Sequence, residues 1–177
     1  QKDLEILTDP NIDLVCVASY DHFHYQQVMD CLNNGKHVYV EKPICLSIEE
    51  VKNIQKKLQE NQQLHLSSNM VLRTCPLFLK VKDEVTSNKM GEIYHLEADY
   101  LWGRKEKIVS GWRAEADFYS IIHGAAVHMI DLVLWITQKK PVSVKALGSN
   151  MMVSGTKQKH NDFAILLLEF EDQLSVK

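Results

Sequence analysis

Two stretches decide the fold: residues 14–19, Leu-Val-Cys-Val-Ala-Ser, and residues 35–43, Gly-Lys-His-Val-Tyr-Val-Glu-Lys-Pro. The first is a short continuous apolar run, which is typical of a parallel strand buried on both faces. The second starts at a glycine that can end a helix and continues as a strand over residues 37–41. Apolar residues recur at helical spacing between the two stretches, and Asp21 stands where an N-cap is expected. The pattern predicts a strand, a helix and a second strand.

The same alternation continues for one more helix and strand. Ser47 and Glu50 form the sequence pattern of a capping box, which predicts a helix N-terminus. Another strand is expected over residues 64–68. Successive strands joined by helices indicate a parallel sheet with right-handed crossovers, so the first part of the chain is of the α/β class.

Beyond Asn69 the pattern changes to long strands with few intervening helices. We expect a helix from Pro76, an apolar helix over 124–135, and strands over 93–101, 142–147 and 163–170. This order indicates an α+β domain with an open, mostly antiparallel sheet. We therefore expect two partial domains, 1–70 and 71–177.

Bulk properties exclude several classes of protein. The 177 residues carry a net charge of −3, which gives no reason to expect a nucleic-acid partner. No apolar run is long enough to span a membrane, and the amino end does not resemble a signal peptide. Cys16, Cys31, Cys45 and Cys75 are scattered, so we expect free thiols, buried in the case of Cys16 and Cys31, and a cytoplasmic protein.

Polar residues follow each strand of the parallel sheet, at residues 19–24, 41–43 and 69–73. Ligands of open parallel sheets bind at the carboxyl ends of the strands, so this edge is the expected site. Lys42 is the foremost candidate, because burial can lower the pKa of a lysine enough for it to exchange a proton with a hydroxyl. The alternative is an ordinary surface lysine paired with Glu41.

His128 and Asp131 share one face of an otherwise apolar helix, where unpaired polar groups are costly. Either this face lines a cleft and His128 bonds a substrate hydroxyl, or the two residues stabilise the helix or are satisfied in the core. The spacings of the histidines and cysteines do not fit a metal site. The Gly-x-Ser-x-Gly elbow of hydrolases is absent.

The order of these motifs resembles the glucose–fructose oxidoreductase / inositol dehydrogenase / MocA family. The resemblance covers nearly the whole chain, through Gly35-Lys36-His37-Val38, Glu41-Lys42-Pro43, Asn69, Arg73, Gly91-Glu92-Ile93, Trp112-Arg113 and His128-Met129-Ile130-Asp131. It implies an amino-terminal Rossmann-type domain that binds NAD or NADP. It also implies a carboxyl-terminal domain that binds the substrate and makes homo-oligomer contacts through its sheet.

The resemblance further implies a dehydrogenase that moves a hydride between a sugar or cyclitol carbon and nicotinamide. Lys42 and His128 are then the expected catalytic residues. The expected cofactor-binding residues are Ser19, Tyr20, Asp21, His24, Glu41, Pro43 and Asn69. The expected substrate-binding residues are Arg73, Trp112, Arg113 and Asp131.

Three departures from the family pattern leave an alternative open. Asp21 replaces an asparagine, and Gly124 stands where many members carry an aspartate four residues before the histidine. The glycine-rich dinucleotide fingerprint is missing from the chain, which we interpret as truncation at both ends, with weak or no cofactor binding by the fragment. The alternative to a dehydrogenase is a family relative without turnover that acts as a ligand-sensing or regulatory protein.

Overall fold

In the computed structural model the chain divides into two compact units, Gln1–Met70 and Val71–Lys177. The structure describes residues 2–177, and side chains from residue 5 onward. Each unit has a sheet and an apolar cluster of its own. The roles expected for the two units, cofactor binding and substrate binding, stay predictions at this point.

The first unit alternates helices and strands around a three-stranded parallel sheet of order β1-β2-β3. The expected order of strands and helices from residue 14 onward is confirmed, with one additional helix before it. Its elements are α1 (Lys2–Thr8), β1 (Leu14–Val17), α2 (Asp21–Asn33), β2 (His37–Val40), α3 (Ile48–Glu60) and β3 (Leu66–Ser68). Val28, Leu32 and Ile54 from the helices pack with Val38 and Val40 of the central strand, and this apolar cluster holds the helices on the sheet.

The two longer helices of this unit begin differently. Ser47 caps α3 as expected, because its hydroxyl accepts a bond from the Glu50 amide while the Glu50 carboxylate accepts from the Ser47 amide. The N-cap of α2 is Tyr20, without a side-chain cap bond, so the expectation that Asp21 caps this helix was wrong. Asp21 is the first helical residue, where its negative charge faces the positive end of the helix dipole.

One face of the first sheet is open. Leu14, Cys16 and Tyr39 are exposed on it, so the expectation of a first strand buried on both faces, with Cys16 inside, was wrong. Cys16 and Tyr39 are register partners, and partners in a parallel pair point to the same side. Apolarity of a strand sequence therefore did not reveal which of its faces a helix covers.

The second unit combines helices with a four-stranded sheet of order β4-β7-β6-β5. Its elements are a 3-10 turn (Val71–Thr74), α4 (Pro76–Thr86), β4 (His95–Leu96), α5 (Glu106–Val109), α6 (Gly111–Glu115), a π-helical segment (Ile122–Ala126), α7 (Val127–Thr137), β5 (Pro141–Ser149), β6 (Phe163–Phe170) and β7 (Ser175–Val176). The pairs β5–β6 and β6–β7 are antiparallel, whereas β4–β7 is parallel. The sheet is therefore mostly antiparallel, as expected.

The long strand expected over residues 93–101 is reduced to the two residues of β4. The backbone pairing of this stretch runs only from Tyr94 to Ala98 and uses residues 175–177. Leu96 packs against the core of the unit, whereas Tyr94 is 80% exposed and Leu101 is 92% exposed. The sequence therefore predicted a longer strand than the backbone pairing supports.

An apolar helix is present where it was expected, over residues 124–135, but its first part is not α-helical. It starts as the π-helical segment Ile122–Ala126 and becomes the α-helix α7 only at Val127. Short π-helical segments inside α-helices occur frequently at functional sites. The segment ends two residues before His128 and contains Gly124.

The four cysteines are free, with Cys31 buried and Cys16 exposed. Burial raises the pKa of the Cys31 thiol and that of Cys45, which favours the neutral thiol in both. Across the described part of the chain, no helix combines the length and apolarity that crossing a membrane requires.

Candidate active site

Three loops leave the first sheet at the carboxyl ends of its strands, where the sequence predicted a site. The loop after β1 starts with Ala18 and Ser19, the loop after β2 starts with Glu41, and the loop after β3 starts with Asn69. The sheet ladder continues into the last two loops, because the Glu41 amide bonds the Val17 carbonyl at 2.9 Å and the Asn69 amide bonds the Val40 carbonyl at 2.8 Å. The starts of these loops are therefore fixed by the backbone.

His24 joins the first of these loops to the second. Its ring is 1% exposed, with Nδ1 at 2.6 Å from the Pro43 carbonyl oxygen and Nε2 at 3.1 Å from the Ser19 carbonyl oxygen. Both partners are acceptors, so a neutral imidazole can donate to only one of them, whereas a doubly protonated ring donates to both. The buried side chain of His24 therefore contacts the backbone of both loops, at Ser19 and at Pro43.

Asn69 joins the second loop to the third. Its amide nitrogen donates to Glu41 Oε1 at 2.7 Å, and its amide oxygen accepts from the Tyr39 hydroxyl at 2.7 Å. The Glu41 carboxylate is thus held by a side chain from the neighbouring strand.

Lys42 lies between these two connections. Its side chain is half-buried, and the following Pro43 is buried and joined to it by a cis peptide bond. On the neighbouring loop Tyr20 is 50% exposed, and its ring lies 6.1 Å from that of His22. The edge therefore presents an ammonium group, a carboxylate and an accessible aromatic ring within one unit.

A buried hydroxyl marks the same edge. Ser68, the last residue of β3, has a buried Oγ that makes no hydrogen bond to any atom of the part of the chain the structure describes. Buried polar atoms nearly always have a hydrogen-bond partner. A molecule bound at this edge could therefore provide the partner that the Ser68 hydroxyl lacks. Nothing in the sequence pattern distinguished Ser68 from the other residues of its strand.

These observations fit a nicotinamide cofactor at this edge, although the chain contributes only part of a dinucleotide site. The candidate residues that would line its nicotinamide end are Ser19, Tyr20, Asp21, His24, Glu41, Pro43 and Asn69. His24 and Pro43 are buried and act through the backbone rather than by direct contact. The glycine-rich loop that cradles a pyrophosphate is not among the 177 residues.

In the second unit His128 lies in the first turn of α7. It is 9% exposed, and its ring stacks on Tyr100 with the centroids 6.0 Å apart. The preceding turn carries Gly124 within the π-helical segment. Tyr100, which the sequence did not indicate, therefore places an aromatic ring beside His128.

The guanidinium group of Arg113 packs with the aromatic rings of Trp112 and Tyr119. The Arg113 guanidinium carbon lies 4.4 Å from the centroid of a Trp112 ring and 5.6 Å from that of Tyr119, and the two aromatic rings meet edge to face at 5.8 Å. Arg113 Nε is buried and finds no acceptor among the described residues. The structure thus brings two predicted substrate-binding residues together with a tyrosine that the sequence analysis missed.

Arg73 and Asp131, the other two predicted substrate-binding residues, bind each other. Arg73 Nε donates to Asp131 Oδ2 at 2.8 Å, and its second terminal nitrogen donates to Oδ1 at 2.5 Å. This hydrogen bond, reinforced by the attraction between the charges and opposed by partial burial, raises the pKa of Arg73 above its usual range. Asp131 is therefore directed at the 3-10 turn, and the two residues stabilise the unit in their present positions.

A cavity of about 610 Å³ lies elsewhere in the second unit, against the sheet. Ile122, Ala125, Met129 and Val133 line it from the helical side, and Leu166 and Leu168 from β6. None of the candidate site residues lines it, and its walls are mainly apolar. Asp99, Tyr100, Asp162 and Lys177 also line it, but neither of the expected catalytic residues does, so the helix turn around His128 is the better candidate.

The first unit is a parallel α/β sheet with a polar carboxyl edge, and the second is an α+β unit with a mostly antiparallel sheet and a polar helix face. The first unit therefore has the type of sheet edge at which open α/β proteins bind nucleotide cofactors. A family model described as an oxidoreductase family with an NAD-binding Rossmann fold matches residues 1–69, and the GFO/IDH/MocA C-terminal domain matches residues 78–177. The chain belongs to the GFO/IDH/MocA oxidoreductase family.

Several curated and solved relatives agree with this assignment. An uncharacterized oxidoreductase of Schizosaccharomyces pombe is 33% identical over 72% of the chain and 34% of its own length. The NADP-dependent scyllo-inositol 2-dehydrogenase of Bacillus subtilis is 28% identical over 94% of the chain and 45% of its own length. The scyllo-inositol dehydrogenase of Lactobacillus casei, solved with NAD(H) and scyllo-inositol, matches with a TM-score of 0.82 at 25% identity, over 99% of the chain and 52% of its own length.

The chain thus spans between a third and a half of these relatives. The expectation of membership in this family is confirmed, and so is the expected fold class. The roles of the individual site residues were not tested by these comparisons and remain proposals.

Proposed function

We propose that the chain is part of an oxidoreductase that transfers a hydride between a hydroxyl-bearing carbon of a cyclitol or related sugar and NAD or NADP. The single observation that carries the proposal is the carboxyl edge of the first sheet, where Lys42 lies between two loops fixed by His24 and Asn69. The likeness to NAD(H)- and NADP-dependent inositol dehydrogenases supports the cofactor and the substrate class.

Oxidation of a secondary alcohol removes a hydride from the carbon and a proton from the oxygen. Bound NAD(P) supplies the hydride acceptor. In our proposal Lys42 donates a hydrogen bond to the reacting hydroxyl through its ammonium group and holds this oxygen in place. His128 is proposed as the acid/base group of the second unit, which accepts a proton during oxidation and returns it when the reaction runs in reverse.

The neighbouring residues keep these groups in position. His24 fixes the Pro43 carbonyl and thus the backbone next to Lys42. Asn69 fixes the Glu41 carboxylate, so its negative charge stays beside the lysine. Such preorganisation matters because small displacements of reacting groups are expensive in rate.

Arg113 is proposed to bind the substrate through its guanidinium group, with Trp112 as the apolar surface beneath. Its buried Nε, which finds no acceptor in the described chain, supports this role. Arg73 and Asp131 are better assigned to stabilising α7, because their hydrogen-bonding groups already bind each other in the structure.

Homo-oligomer formation through the second sheet stays a prediction. Leu147 of β5 pairs with Ile165 of β6, so it shares a face of the sheet with Phe163 and Leu167. Each of these three apolar side chains is about half exposed or more. An exposed apolar row of this kind supports a contact surface. A cytoplasmic location likewise stays a prediction.

The test is a substrate screen of the full-length protein. Scyllo-inositol, myo-inositol and simple aldoses are offered with NAD⁺ and with NADP⁺, and nicotinamide absorbance is followed. We expect turnover with at least one cyclitol, and a loss of about a hundredfold or more in kcat for His128→Asn, because a general base is removed. The matched control His95→Asn changes an exposed histidine of the same unit and should keep wild-type kcat.

Tight cofactor binding without turnover of any polyol would contradict the proposal. Equal kcat values for His128→Asn and the wild type would remove His128 from the mechanism while leaving the substrate class intact.

A further inference from the structure

Tyr100 lies just beyond the point at which the backbone leaves the second sheet. The last sheet bond of this stretch joins the Ala98 amide to the Lys177 carbonyl at 2.9 Å. Leu96 and Ala98 both pack against the apolar cluster that contains Val133 of α7. Alternate residues of an extended chain point to the same side, so Tyr100 follows the direction of Leu96 and Ala98. The end of the sheet therefore directs the Tyr100 ring toward the side that α7 covers.

The ring of Tyr100 stacks on the imidazole of His128. The two ring planes are 15° apart and their centroids are 6.0 Å apart, which is the geometry of an offset stacked pair. The second side-chain torsion of a histidine has a broad energy profile, so contacts must set the direction of the ring nitrogens. A tyrosine ring nearly parallel to the imidazole limits rotation of His128 about this torsion.

This ring contact is separate from the packed core of the unit. Tyr100 is 42% exposed, and in the described part of the chain it belongs to neither apolar cluster of the second unit. It also lines the cavity of about 610 Å³ between α7 and β6. A smaller side chain at this position therefore enlarges an existing cavity and should cost little stability. A structural role and a role toward His128 thus predict different results.

We propose that Tyr100 is a positioning residue, whose ring holds the imidazole of His128 in the orientation from which it accepts and returns a proton. The inference rests on the proposed function, since it concerns the acid/base group of the same dehydrogenase. Proton transfer requires the base to lie within hydrogen-bond reach, and small displacements of reacting groups are expensive in rate. Tyr100 acts through its ring and through His128, and its hydroxyl group is not needed. The competing interpretation is a surface tyrosine that only lies beside the helix.

The first variant is Tyr100→Leu in the full-length protein, which removes the ring and keeps an apolar side chain. The substrate is whichever of scyllo-inositol and myo-inositol the wild type oxidises. We expect kcat to fall about tenfold and KM to change less than about threefold, because the lost contact is with the acid/base group and not with bound substrate. The melting temperature and the Kd for the cofactor should stay at wild-type values.

The second variant is Tyr100→Phe, which keeps the ring and removes the hydroxyl group. Its kcat should lie within about twofold of the wild type, because the aromatic contact is retained. Tyr94→Leu is the matched control, because Tyr94 is an 80% exposed tyrosine of the same stretch, and it should behave as the wild type.

A double variant tests whether Tyr100 acts through His128. Residues that act through the same group have non-additive effects, so Tyr100→Leu should cause no further loss of kcat in the His128→Asn background. A full additional loss in this background would overturn the inference, because Tyr100 would then act independently of His128.

The remaining outcomes separate this inference from the proposed function. A wild-type protein that oxidises no polyol refutes the function, and the inference with it. An active wild type whose kcat is unchanged in Tyr100→Leu overturns the inference alone. Equal losses in Tyr100→Leu and Tyr100→Phe also overturn it, because they point to the hydroxyl group. A fall in melting temperature with proportional losses in cofactor binding and kcat overturns it as well, because that pattern belongs to a structural role.

Discussion

The imidazole of His24 has two backbone carbonyls as its neighbours, one from each of two loops at the sheet edge. The ring is buried, so water cannot replace either contact if the side chain is lost. The loops themselves carry Ser19 and Pro43, next to the lysine on which the proposed chemistry depends. Local stability at this edge therefore depends on this side chain as well as on the sheet ladder.

We predict that His24→Ala lowers the free energy of unfolding by about 2–4 kcal/mol, from the lost hydrogen bonds and the cavity left behind. The measurement is urea unfolding of the full-length protein. His22→Ala is the matched control on the same helix, because His22 is exposed and should change stability by less than about 0.5 kcal/mol. Equal effects of the two substitutions would refute the special role of His24.

At the residue scale, the sequence indicated the candidates that belong to motifs and missed those that only the fold brings near. Lys42, His128 and Arg113 stand in recognisable patterns. Tyr119 lies in the loop between α6 and the π-helical segment, nine residues before His128, and no spacing rule connects the two. Only the structure shows that Tyr119 packs against Gly124. The sequence showed Gly124 alone, as a departure from the family pattern.

The bidentate pair of Arg73 and Asp131 joins the 3-10 turn to α7. Asp131 is mostly buried, with 12% of its side chain exposed, whereas Arg73 is 44% exposed. Arg73 also lies 6.0 Å from the centroid of a Trp135 ring. The pair therefore positions the helix that carries His128 against the turn at the start of the unit.

We predict a coupling free energy of about 1 kcal/mol between Arg73→Gln and Asp131→Asn in a double-mutant cycle by urea unfolding. The pKa of Arg73 is raised in the folded protein, so its contribution is present below the unfolded pKa and is lost only as the pH rises through the folded pKa. An arginine stays charged throughout the neutral and mildly alkaline range, so the coupling should be equal at about pH 7 and pH 10. A coupling that disappears between these values would contradict the assignment.

Elements were predictable where one local signal dominated. The capping box at Ser47 and the proline at the start of α4 placed two helix starts correctly. Failures occurred where a partner decides the outcome. The stretch 93–101 was predicted as one long strand but pairs only through residues 175–177. The π-helical segment leaves no mark in the apolar pattern.

At the scale of the molecule, the pattern of apolar residues changes near residue 70, which predicted a parallel sheet before this point and a mostly antiparallel sheet after it. Both sheets are present. Periodicity carries this information because it reflects burial of whole faces. Periodicity did not predict that one face of the first sheet is exposed, because the covering of a sheet by another element depends on the tertiary structure. The family assignment came from motif order, which periodicity alone does not supply.

The most direct test of the central claim is the rate of hydride transfer in Lys42→Ala. The full-length protein is mixed with saturating cofactor and cyclitol, and a single turnover is followed by nicotinamide absorbance. We predict a rate constant at least about a hundredfold below that of the wild type, with the cofactor Kd within about threefold. Lys52→Ala, an exposed lysine of α3, is the matched control. A Lys42→Ala rate constant equal to that of the wild type would contradict the account.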